Sequence, residues 1–110
     1  MPRDFRLYLD DILESISRIY EYVADMDFDS FSEDKKTVDA VVRNLEIIGE
    51  AARNLPVELK NSLADIQWHK IVALRNILTH EYFGVNRQIV WDVVQTKLAA
   101  LKDTCEKALR

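Results

Sequence analysis

Apolar residues recur at three- and four-residue steps through almost the whole chain, and only two glycines and two prolines interrupt it. Such spacing lines the residues along one face of a helix, so the chain is expected to be all-α. Phe5, Tyr8, Leu9, Ile12, Ile16, Ile19, Tyr20 and Val23 draw one stripe down a first helix from about Asp4 to Asp25. The stretch MDFDSFSED at 26–34 breaks it, and Ser30 followed by Glu33 has the S-x-x-E form of a capping box for a second helix. That helix is expected to run to about Leu55 with Val38, Val41, Val42, Leu45, Ile48 and Ala52 inward, stopped by Pro56. Gly49 shares the stripe, which points to close approach of a neighbouring helix.

Residues 57–65 read as a short helical turn or loop. Asp65 is placed to cap a third helix from about Ile66 to Phe83, with Gly84 in the left-handed position beyond it. Asn86 is placed to cap a fourth, running to the C-terminus with Val90, Val93, Val94, Leu98 and Leu101 inward. The expected architecture is an antiparallel bundle of four to five helices, in one domain over residues 1–110.

At 110 residues and 48% apolar composition, one core is sustainable without staples. The lone Cys105 excludes an internal disulfide, and its simplest role is a small residue on the last helix. Neither a membrane-spanning run nor a signal-peptide pattern is present, so a cytoplasmic location is expected. The formal charge of −4 argues against nucleic-acid binding through the whole surface. Its distribution is uneven: residues 1–34 carry ten acids and three bases, and residues 35–110 carry nine acids and twelve bases.

Both histidines, an arginine and a tyrosine gather in WHKIVALRNILTHEYFG, residues 68–84. At about 100° per residue, with Arg75 as zero, Ile71, Leu74 and Leu78 fall near 320°, 260° and 300° and define the core direction. Asn76, His69 and His80 fall near 100°, 120° and 140°, away from it, and Tyr82 near 340° lies almost in line with Arg75. His80 is suited to proton transfer, and Arg75 offers a planar fork of donors for phosphate oxygens. Asn76 can position either group. These residues suit RNA cleavage in which the 2′-OH is the nucleophile and no metal is needed. Arg75 and His80 are about 140° apart on the helix, so a second copy related by two-fold symmetry is expected to complete the site. The two histidines are too far apart to share a metal ion, and two isolated glycines cannot make a phosphate loop. A solvated polar face with no function is the competing reading of these residue types.

The run from Arg75 to Tyr82 has the form R-x4-H-x-Y with a polar residue directly after the arginine, and it resembles the HepT family of the HEPN superfamily. The stretch NLEIIGEAA at 44–52, Trp68, the YFG at 82–84 and Val90-Trp91 extend the resemblance. The resemblance implies a homodimeric helical bundle able to assemble further. It also implies a metal-independent endoribonuclease, without a cofactor, acting as the toxin of a prokaryotic toxin–antitoxin pair of the type VII kind. Arg75 and His80 are then catalytic, with Asn76 supporting. Tyr82 is the acceptor of AMP transferred from ATP by an MntA-like nucleotidyltransferase antitoxin. An RNA-binding cleft in a slightly acidic protein must gather Lys70, Arg75, Arg87 and Arg43 or Arg53 locally. The alternative within the superfamily is a non-catalytic helical module that binds a nucleotidyltransferase or a nucleotide through the same face.

Overall fold

The first helix, α1 (Phe5–Val23), begins where the Asp4 carboxylate accepts the main-chain N–H of Arg6. The structure, a computed structural model, describes residues 3–79 and 86–110, with the side chains of Arg75, Ile77 and Thr79 outside the description. Helix α1 ends slightly earlier than its stripe predicts, because Asp25 takes a positive φ of 66° and turns the chain. Aspartate tolerates that left-handed conformation better than most residues.

The expected break at 26–34 is itself a helix, α2 (Phe28–Glu33), and the expected capping box is displaced by three residues. Asp27 rather than Ser30 is the N-cap: its carboxylate accepts the Ser30 N–H at 2.8 Å, and the Ser30 hydroxyl accepts the Asp27 N–H at 3.0 Å. Asp34 then caps α3 (Lys35–Arg53) by accepting the Thr37 N–H. Asn54 closes α3 ahead of Pro56, as the proline requires, and α4 (Val57–Ser62) fills the short helical turn.

Helix α3 is the centre of the packing, with α1 and α5 (Trp68–Thr79) both against it and α7 (Leu98–Ala108) returning to α1. The core joins Leu9, Ile12, Ile16 and Ile19 of α1 to Val41, Leu45 and Ile48 of α3 and to Leu98 and Leu101 of α7. Each fully buried aliphatic side chain contributes about 1.5–3 kcal/mol. That outweighs the roughly 1 kcal/mol that Gly49 costs α3 in propensity. Gly49 is buried, along with Ala51 and Ala52, where α3 meets its neighbours.

The expected fourth helix is two. α6 (Arg87–Thr96) starts under the Asn86 cap, whose side chain accepts from Gln88 and Ile89, and Lys97 separates it from α7. The Thr96 hydroxyl donates to the Asp92 carbonyl at 2.6 Å, a back-bond of the kind that bends helices. Phe31 of α2 is fully buried and lies 5.0 Å from the Trp91 ring of α6, with Phe28 edge-on to the same indole at 6.5 Å. Among the described residues all regular structure is helical, and no helix is long and apolar enough to cross a membrane.

Candidate active site on the fifth helix

Helix α5 starts two residues later than expected, and Asp65 is not at its end. The Trp68 indole donates to the Leu63 carbonyl at 3.0 Å and Ile66 enters the core. The chain must therefore turn through 63–67 before it can coil. The Gln67 carbonyl accepts the N–H groups of Lys70 and Ile71, which opens the helix.

The buried edge of α5 is Trp68 and Leu78, with Ile71, Val72 and Leu74 half-buried beside them. The core direction is thus turned by roughly 40° toward Trp68 relative to the one set by Ile71, Leu74 and Leu78. The opposite side remains in solvent, where His69, Lys70, Ala73 and Asn76 are exposed. Arg75 lies within α5, whereas His80 and Tyr82, and the expected Phe83 end and Gly84 cap, lie outside the described residues.

The electrostatics of α5 follow from its sequence. No aspartate or glutamate occurs from Ile66 to His80, while Lys70, Arg75 and both histidines fall in that stretch. A phosphate approaching this helix meets no carboxylate carried by it. The other cations expected to gather are committed elsewhere. Arg43 and Arg53 lie on α3 beside Glu46 and Glu50, at 3.7 and 3.8 Å. The Arg87 guanidinium donates to the Ser32 carbonyl. Of the cations named for the cleft, Lys70 is the one that shares α5 with Arg75.

Two further groups bear on the chemistry. Cys105 is fully buried on α7, and burial pushes its thiol up to about 12, so it stays protonated and unreactive at neutral pH. Among the described residues no group of three or more His, Cys, Asp and Glu side chains is arranged to hold a metal ion.

The family model described as "Ribonuclease HepT-like" matches residues 12–108. A protein of Methanocaldococcus jannaschii named "Putative RNase MJ0127" is 46% identical over 99 residues, covering 89% of this chain and 82% of that protein. A protein of Thermococcus cleftensis named "Probable ribonuclease HepT" is 41% identical over 107 residues, covering 97% of each. A second M. jannaschii protein, "Gamma-glutamylcyclotransferase and putative RNase MJ0434", is 41% identical over 109 residues, and this chain spans 49% of its length. No solved structure matches.

Proposed function

Because this chain belongs to the HepT-like ribonuclease family, we propose that it is a metal-independent endoribonuclease toxin whose catalytic groups are Arg75 and His80. The observation that carries this reading is the R-x4-H-x-Y sequence, whose arginine lies on an acid-free helix with an exposed polar face. In the proposed step His80 takes the proton of a ribose 2′-OH. The 2′ oxygen then attacks the adjacent phosphorus, the bond to the 5′ oxygen breaks, and a 2′,3′-cyclic phosphate and a 5′-OH result. Arg75 stabilises the charge that accumulates on the phosphorane oxygens. Asn76, exposed one residue from Arg75, orients these groups.

On helical spacing Arg75 and His80 fall wide apart, and a two-fold partner supplies what one protomer does not. The second His80 protonates the leaving 5′ oxygen, so the functional unit is a homodimer. Control is proposed to come from an MntA-like nucleotidyltransferase antitoxin. The Tyr82 phenol attacks the α-phosphate of ATP, loses its proton and displaces pyrophosphate. The resulting adenylate adds negative charge and bulk, on helical spacing almost in line with Arg75, where it competes with RNA.

Expression in a bacterial host tests the reading. The wild-type chain arrests growth, and Arg75→Ala and His80→Ala, produced at equal level and folded, do not. Co-expression with a nucleotidyltransferase of the antitoxin kind adds AMP mass increments that Tyr82→Phe abolishes. A folded wild type that neither arrests growth nor cuts RNA overturns the enzyme reading in favour of a non-catalytic binding module. Increments that survive Tyr82→Phe remove the assignment of Tyr82.

A further inference from the structure

A groove of about 490 Å³ runs between the first half of α5 and the break that separates α6 from α7. Its apolar floor includes Ile71 and Leu74 of α5 and Val93 of α6, all half-buried, and its polar walls include Lys70 and Lys97. One carboxylate, Asp65, also lines it.

The two lysines differ from most of the basic side chains described. Arg43, Arg53, Lys102 and Lys107 sit beside carboxylates one helical turn away, and Lys60 and Arg87 donate to main-chain carbonyls. Lys70 and Lys97 form no ion pair among the described residues, and both face the same groove from different helices. Lys97 does so from the junction of α6 and α7, one turn on from Val93. Lys70 is five residues before Arg75, about 7.5 Å along the helix axis.

We infer that this groove is a subsite for an unpaired stretch of the RNA substrate, with phosphates between Lys70 and Lys97 and a base against Ile71, Leu74 and Val93. A polyanion with flat apolar faces satisfies both features of the groove. An apolar helix from a protein partner covers the floor and leaves two ammonium groups uncompensated. The volume lies within the range of small-ligand clefts and accommodates a nucleotide. The inference rests on the ribonuclease reading for the identity of the ligand, and it explains how a chain of net charge −4 holds RNA beyond the scissile phosphate.

The test is fluorescence anisotropy in EDTA with a labelled single-stranded RNA of about twelve nucleotides, a length that spans such a site. The protein carries His80→Ala so that the strand stays intact. Lys70→Ala and Lys97→Ala each weaken binding by about three- to tenfold, and the plot of log affinity against log salt flattens by about 0.7 per lysine removed. Lys107→Ala, on the far end of α7, changes neither. RNA binding that depends on both lysines, with no RNA cut by the His80-containing protein, supports the subsite and sinks the ribonuclease reading. Affinity and salt slope unchanged in the double variant, with cleavage by the His80-containing protein intact, overturn the subsite alone. Loss of nucleotidyltransferase binding in the double variant, with RNA binding unaltered, reassigns the groove to a protein partner and likewise overturns it.

Discussion

The Arg87 guanidinium donates a hydrogen bond to the main-chain carbonyl of Ser32, tying the first turn of α6 to the last turn of α2 across 55 residues of sequence. Net charge counts this arginine among the cations available to RNA, but its position commits it to the fold. Arg87→Ala is expected to lower stability by about 1–2 kcal/mol, the range for a hydrogen bond from a charged donor. The salt dependence of RNA binding stays as in the wild type. Denaturant unfolding and RNA titration at several salt concentrations check both halves. A phosphate-binding arginine instead flattens the salt dependence.

The same seam is closed by aromatic packing. Phe31 is fully buried and tilted 36° against the Trp91 indole. Truncation by Phe31→Ala removes a whole ring from the core and is expected to cost about 3–5 kcal/mol in urea unfolding. Phe28→Ala, at a half-buried position, costs less. Equal losses at the two positions contradict this account of the seam.

Acid stability depends on the two capping aspartates. The Ser30 N–H holds the Asp27 carboxyl below its ordinary value, and the Thr37 N–H does the same for Asp34. A carboxyl depressed in the folded state stabilises fully above its unfolded pKa, near 3.9, and loses that contribution as pH falls through the lower folded value. Thermal midpoints are therefore expected to fall as pH drops below about 4, and Asp34→Ala lowers the midpoint by a few degrees at neutral pH. In the Asp27→Asn, Asp34→Asn double variant the acid decline is shallower. A double variant that follows the wild-type pH profile contradicts the role of the caps.

The long helices are legible from apolar spacing because each buries one continuous apolar stripe. Leu9, Ile12, Ile16 and Ile19 on α1, and Val38, Val41, Leu45 and Ile48 on α3, are all buried where the stripe puts them. Two features are hidden from periodicity. The acids and serines of 26–34 resemble a loop in composition, yet they supply successive caps at Asp27 and Asp34, with Phe31 as the one deep anchor of α2. The break at Lys97 leaves the stripe of Val90, Val94, Leu98 and Leu101 in register, so spacing alone predicts one helix where there are two. Lys97 lines the groove at that break, which the sequence does not signal.

At the candidate site, the solvent face of α5 with His69 and Asn76 is readable from the helical wheel. Its core direction is readable only in part, because α5 is apolar on several sides and the wheel weights Ile71, Leu74 and Leu78 over Trp68. The indole anchors the helix start through its bond to the Leu63 carbonyl, a constraint that residue spacing does not contain.

The most direct test of the central claim is cleavage of single-stranded RNA by the purified chain in excess EDTA, beside folded His80→Ala and Arg75→Ala. The account predicts cutting by the wild type that leaves 2′,3′-cyclic phosphate ends, and a loss of about 10²–10⁴-fold on removal of the proton-transfer group in His80→Ala. Cleavage that disappears in EDTA, or that persists at wild-type rate in both variants, would contradict it.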